Sequence, residues 1–200
     1  MPIVTVGIDL AKNVFAVHGV DEAGKAVLIK PRVSRDQLSA LIAQFPPCVI
    51  GMEACSGAHY WARVFQRCGH TAKLMAPKLV APYRMSGKRG KNDAADAAAI
   101  CEAVTRPSMR FVPLKDEHQQ ATLCLHRTRQ GFVEERTATY NQLRGLLSEF
   151  GVVLPQSPER LRLDITTHMD LLPGWAQRCI SDLLEHAGNM LSGEGPPVFV

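Results

Sequence analysis

Two hundred residues and 21.9 kDa suit one ordinary domain with a helical annex and exclude a peptide-sized scaffold. Hydrophobic residues at 46%, charged residues at 21% and a mean hydropathy of −0.04 exclude a disordered chain, and no run reaches the roughly 18 apolar residues of a spanning helix. A net charge of +4, from 23 Lys plus Arg against 19 Asp plus Glu, is too mild to name a partner.

Residues 3–8 (Ile-Val-Thr-Val-Gly-Ile) are an apolar, β-branched run leading into Asp9, which predicts a central strand ending in a carboxylate. A second extended run spans Asn13 to Val20. Turn chemistry at Asp21-Glu22-Ala23-Gly24 precedes a third run, Lys25 to Ile29, so three strands follow in meander order. Ser34 has the chemistry of an N-cap, and Leu38, Leu41, Ile42 and Phe45 recur on one helical face before Pro46-Pro47 stops the helix. Residues 48–52 then read as a short buried strand ending at Glu53. Ser56 is the expected cap of a helix with Trp61, Val64, Phe65 and Cys68 on one stripe. His70 to Met75 supplies a fifth strand, giving a mixed α/β sheet with an antiparallel opening and a βαβ continuation.

Six cations and no acid lie between Lys73 and Lys91 (Lys73, Lys78, Arg84, Lys88, Arg89, Lys91), ending in a glycine-bearing run suited to a phosphate backbone. Asn92 is placed to cap a helix running to about Val104. From about Leu114 the pattern stays helical for some 35 residues, with Leu125, Phe132, Tyr140, Leu143, Leu147 and Phe150 as apolar markers. Its seam is irregular, which favours a long helix or helical hairpin over a regular coiled coil. Ser157-Pro158-Glu159 opens another helix, and Trp175 to Leu191 forms a last one with Ile180, Leu184 and Ala187 in phase. The N-terminus lacks the basic, apolar, small-residue order of a signal peptide, so a cytoplasmic location without membrane contact is expected. The six cysteines form no C-x-x-C pair and are expected to be reduced and mostly buried.

Four acids stand out by placement. Alternation along the first strand puts Asp9 on the face of Thr5 and Gly7, at the point where the strand leaves the core, and Glu53 has the same relation to its own strand. If the two strands are adjacent and parallel, their carboxyl ends open onto one crevice. Asp93 and Asp96 share one side of a helix start, on the stripe that continues through Ile100 and Ala103. Acids at the edge of an apolar sheet need a cation, and hard oxygen donors suit Mg²⁺ or Mn²⁺, the ions of phosphodiester displacement.

The stretches Gly7-Ile8-Asp9-Leu10-Ala11-Lys12 with Phe15, Gly51-Met52-Glu53-Ala54-Cys55-Ser56-Gly57, and Lys91-Asn92-Asp93-Ala94-Ala95-Asp96-Ala97 resemble the N-terminal half of the DEDD insertion-sequence transposases, which include Piv-type invertases and bridge-RNA-guided recombinases. The resemblance covers about residues 3–150. It implies an RNase-H-like (RuvC-like) α/β domain with flanking helices over 1–112 and a long coiled-coil-like helical arm over 113–152; the residues beyond it, 153–200, read by their own pattern as a helical segment with an irregular tail. By motif, Asp9, Glu53, Asp93 and Asp96 are the implied catalytic and metal-binding acids. The implied partners are DNA, a guide RNA and further copies of the chain joined through the arm. Lys12, Tyr60, Lys88, Arg89 and Lys91 are the expected nucleic-acid contacts. Family members continue into a second domain bearing a serine nucleophile, and nothing after about Val152 resembles it, so the expectation is a truncated transposase or an isolated N-terminal part.

Two other functions stay open. One is a truncated product that binds nucleic acid without cutting it. The other is an actin-like or sugar-kinase ATPase, whose fold also opens on Gly-Ile-Asp; here Ala11-Lys12-Asn13 stands where that class needs a small-residue phosphate loop.

Overall fold

The computed structural model describes residues 2–84 and 93–192. The first compact unit, residues 1–120, is built on a six-stranded mixed sheet. Its strands are β1 (Thr5–Asp9), β2 (Val14–Val20), β3 (Ala26–Ser34), β4 (Val49–Glu53), β5 (Thr71–Met75) and β6 (Phe111–Val112), in the order β3-β2-β1-β4-β5-β6. β1, β2 and β3 pair antiparallel, β4 and β5 continue from β1 in parallel, and β6 closes the edge antiparallel to β5. The antiparallel opening and the parallel continuation both follow the expected pattern, and the architecture is RNase-H-like.

β3 runs five residues past Ile29, and its final residue, Ser34, also occupies the N-cap position of α1 (Arg35–Ile42) without a side-chain cap bond. The hairpin turn before β3 is held by Asp21, whose Oδ1 accepts from the N–H groups of Ala23 and Lys25, both at 3.0 Å. α2 (Ala58–Arg67) is not capped by Ser56: Gly57 holds the N-cap position with φ 82°, a left-handed conformation that glycine adopts without strain. The sixth strand was not anticipated, because its two residues pair only at Leu74↔Val112 and Met75↔Phe111 and are too short to show alternation.

Helices cover both faces of the sheet, as the alternation of β1 requires. Val6 and Ile8 point into the main core with Phe15, Ile50, Met52 and Leu74, roofed by Leu38 and Ile42 of α1 and Trp61 and Phe65 of α2. The opposite face receives α4 (Asp93–Val104), whose Ile100, Ala103 and Val104 pack with Met75 and with Val80 of α3 (Pro77–Val80). His70 ties the first core together: its Nδ1 accepts from the Cys48 N–H at 3.3 Å and its Nε2 donates to the Ile42 carbonyl at 3.1 Å. Cys48 and Cys101 are buried, but Cys55, Cys68, Cys124 and Cys179 are exposed, which corrects the expectation of mostly buried thiols. Cys68 falls in phase with the α2 stripe yet sits at the C-cap, where the helix has already turned out of the core.

α5 (Glu117–Ser148) is one continuous helix of 32 residues, so the hairpin alternative does not apply. The second unit, residues 121–200, forms its core from Tyr140, Leu143 and Leu147 at the C-terminal end of α5, Leu161 and Ile165 of α6 (Pro158–His168), and Ile180 and Ala187 of α7 (Gly174–Ser192). Leu125, Phe132 and Phe150 are exposed, so the apolar markers split into a buried set and a solvent-facing set. Arg144 clamps the connection to α6 by donating to the carbonyls of Pro155 and Gln156. α6 begins as expected, with Pro158 in its first turn and the Ser157 hydroxyl accepting from the Arg160 N–H.

Candidate metal centre

Asp9 and Glu53 terminate neighbouring parallel strands. The β1–β4 register pairs Gly7 with Gly51 and Ile8 with Met52, so both acids emerge at the same end of the sheet and on the same face. Gly7 and Gly51 lie on that face too, and they leave a notch into which α4 settles. A Cβ at Gly7 would stand 2.2 Å from the Ala97 carbonyl oxygen, and one at Gly51 would stand 2.8 Å from Val104 Cβ. The notch admits α4, which is alanine-rich in its first two turns, and brings that helix's N-terminal turn to the end of β1.

Asp9, Asp93 and Asp96 therefore converge, with one carboxylate oxygen from each lying within 4.8 Å of the others. Asp96 is buried, Asp9 half-buried and Asp93 exposed. Burial raises the Asp9 carboxyl from 3.8 to about 6, and the charges of Asp96, Glu53 and Asp93 add to the effect against an opposing influence from Arg84. Among the described residues, the neighbouring carboxylates thus outweigh Arg84 at Asp9.

Glu53 is engaged differently from the other three acids. Its Oε1 accepts from Nη2 of Arg84 at 2.7 Å, and the Nε of the same guanidinium lies 3.1 Å from Asp96 Oδ1. Arg84 was one of six cations in the basic stretch and carried no separate expectation. No local signal in the sequence sets it apart from the other five. Cys55, two residues after Glu53, is exposed as a residue, yet partial desolvation of its thiol and the charges of Glu53 and Asp9 push that thiol up.

Of the expected nucleic-acid contacts, Lys12 and Tyr60 are exposed. Arg35, not foreseen, joins them: its Nη1 donates to the Lys12 carbonyl at 3.3 Å and its guanidinium lies 5.2 Å from the Trp61 ring centroid. Lys88, Arg89, Lys91 and the Asn92 cap lie outside the described residues.

The IS110-type DEDD family model, described as "Transposase", matches residues 6–152. The chain belongs to this family. The match places all four acids of this DEDD transposase sequence inside the family's own span. Its relatives include a "Probable family 20 transposase" of Pseudomonas aeruginosa, 51% identical over 148 residues, covering 74% of this chain and 43% of that protein. The "Transposase for insertion sequence element IS1328" of Yersinia enterocolitica is 43% identical over 190 residues, covering 94% of this chain and 56% of the relative. The "Transposase for insertion sequence element IS1111A" of Coxiella burnetii is 42% identical over 154 residues, covering 77% and 41% respectively. This DEDD transposase chain thus spans about half the length of the curated relatives it matches.

Proposed function

We propose that this chain is the metal-binding, N-terminal RuvC-like part of an enzyme that cuts and rejoins DNA phosphodiesters. In this reading Asp9, Glu53, Asp93 and Asp96 form the metal-binding half of a composite site. The observation that carries it is the meeting of Asp9, Asp93 and Asp96 within 4.8 Å, from sequence positions more than eighty residues apart. The donor set fits Mg²⁺ or Mn²⁺, since every ligand is a hard carboxylate oxygen and, among the described residues, Arg84 alone opposes the charges of Asp96, Glu53 and Asp93 at Asp9. A divalent ion bound there supplies Lewis-acid activation of a nucleophile and stabilises the leaving oxygen.

The chain's own groups do the remaining work. Strand end β1 fixes Asp9 on a rigid sheet and α4 carries Asp93 and Asp96 to it, so these three ligands are positioned before substrate arrives, with Glu53 beside them at the end of β4. Lys12, Tyr60 and the basic stretch with Lys88, Arg89 and Lys91 hold the nucleic acid. The resemblance adds a guide RNA as a second nucleic-acid partner and a serine supplied by a second domain. Self-association through α5 is part of the same reading, supported by the exposed Leu125 and Phe132 seven residues apart on that helix. A cytoplasmic setting is part of the same reading; among the described residues no helix is long and apolar enough to cross a membrane.

Calorimetric titration with Mn²⁺ tests the site. Wild type is expected to bind, and Asp96→Ala to lose at least about 100-fold in affinity, beyond the 10–100-fold typical of an outer-shell change. Equal binding by the two proteins detaches the α4 acids from the strand-end acids and ends the proposal. Mg²⁺-dependent nicking of DNA, abolished by Asp9→Ala, distinguishes the enzyme from a chain that only binds nucleic acid.

A further inference from the structure

Arg84 is a cation already inside the acidic pocket, and its base is fixed. It follows the 3₁₀ turn Ala81–Tyr83, its N–H donates to the Ala81 carbonyl at 3.2 Å, and Tyr83 packs against the cluster that α4 forms with Met75 and Val80, with the Arg106 guanidinium 5.7 Å from its ring centroid. From there the side chain spans two carboxylates on different elements, Glu53 at the end of β4 and Asp96 in the first turn of α4. The Arg84 side chain is 38% exposed, against 13% for Glu53 and 12% for Asp96, so the cation approaches from the open side and covers acids that lie beneath it.

Its hold on Asp96 is imperfect. The Arg84 Nε is buried and, although only 3.1 Å from Asp96 Oδ1, has no acceptor aligned for a hydrogen bond among the described residues. Asp96 is also shared, since its carboxylate belongs to the 4.8 Å cluster with Asp9 and Asp93. Glu53 is tied to the guanidinium instead and is not a member of that cluster. Among the described residues, one positive charge faces four carboxylates, held by one well-made bond and one misaligned contact.

We infer that Arg84 is a displaceable counter-cation: it holds Glu53 and Asp96 in the metal-free protein and competes with a divalent ion for them, so that Glu53 joins the other acids only when the guanidinium swings out. This rests on the metal-site reading above and adds to it a residue that opposes metal binding. A guanidinium and a divalent cation cannot both occupy the same carboxylate lone pairs at van der Waals distance, and their mutual repulsion at a few ångströms is strong.

The test is Mn²⁺ titration by calorimetry of the full chain at neutral pH, free of nucleic acid, for wild type, Arg84→Gln and Arg84→Lys. Arg84→Gln is expected to bind about tenfold more tightly than wild type, and Arg84→Lys to fall between them, because lysine keeps the charge but loses the fork that bridges two carboxylates. The metal-free Arg84→Gln protein is expected to melt below wild type, with the gap closing at saturating Mn²⁺. Unchanged or weaker binding by Arg84→Gln, with wild type binding normally, overturns this inference alone. No binding by any of the three overturns the metal reading and this inference with it. A wild-type measurement stands independently of variant folding: the Arg84 Nε–H resonance is expected to shift and gain mobility as Mg²⁺ is added, and a resonance that stays put overturns the displacement.

Discussion

Gly7 and Gly51 are partners across the parallel β1–β4 pair, and α4 lies directly on both. At Gly7 the obstacle to a side chain is backbone, with Ala97 O and Cys101 N at 2.2 and 2.4 Å from an added Cβ; at Gly51 it is the side chain of Val104 at 2.8 Å. Asp9 is two residues beyond Gly7, and Asp96 is one before Ala97. The contact that excludes a methyl group is therefore the same contact that brings the acids together.

Gly7→Ala is expected to destabilise the chain by about 3 kcal/mol, the upper end of ordinary overpacking, because a helix backbone cannot rotate out of the way as a side chain does. Gly51→Ala is expected to cost about 1–2 kcal/mol, since Val104 can adjust. Urea denaturation of both variants checks the ranking. A Gly7→Ala protein within about 0.5 kcal/mol of wild type, the range of neutral surface changes, contradicts the close seating of α4.

Asp9 gives the pocket a pH signature. Its folded value of about 6 lies above the unfolded 3.8, so the native state binds this proton more tightly. The destabilisation it causes is absent below about pH 4, grows as pH rises through the window from 3.8 to about 6, and is complete above it. Asp9→Asn removes the buried charge and is expected to raise the melting temperature at pH 7.5, by an amount equivalent to about 1 kcal/mol once solvent screening of a half-buried group is allowed for. At pH 4.5 the gain is expected to be much smaller. Equal gains at the two pH values would show that the charge of Asp9 is not the cause.

Much of this site was legible because it depends on local periodicity. Alternation along residues 3–9 fixes the face of Asp9, and a strand–helix–strand continuation puts β4 parallel to β1, so the position of Glu53 follows from the topology. Asp93 and Asp96 share a helix face by spacing alone. What was not legible depends on pairing over distance. Nothing local distinguishes Arg84 from the five other cations around it, yet it alone bridges Glu53 and Asp96 among the ion pairs of the described residues. The cap at Gly57 rather than Ser56 is a backbone choice that two adjacent cap-compatible residues leave open, and β6 exists only through its pairing with β5.

The second unit should show the divided character of α5 directly. Leu147 is fully buried against α6 and α7, whereas Leu125, 22 residues earlier on the same helix, is 46% exposed. Leu147→Ala is expected to cost about 3 kcal/mol through lost burial and the cavity left behind. Leu125→Ala in the monomer is expected to fall within about 0.5 kcal/mol of wild type. Thermal unfolding at low protein concentration separates the two, and equal effects would mean that the exposed stripe is covered in solution.

Lys12, Arg35, Trp61 and Tyr60 form a connected strip that starts three residues after Asp9. Arg35 donates to the Lys12 carbonyl and lies over Trp61, which is 5% exposed, and Tyr60 stands edge-on to Trp61 at 5.3 Å between ring centroids with 47% of its surface open. A ring braced in this way is suited to stacking on an unpaired base, and the neighbouring cations to a phosphate. Tyr60→Ala is expected to weaken binding of single-stranded oligonucleotides by about tenfold, within the 1–3 kcal/mol of one stacked base, with the salt dependence unchanged. Lys12→Ala is expected to reduce the slope of log affinity against log salt by about one contact. Fluorescence anisotropy over a range of salt concentrations resolves both effects. A Tyr60→Ala protein that changes the slope as Lys12→Ala does, or that binds as wild type does, rules out the ring as a stacking platform and leaves the contact purely electrostatic.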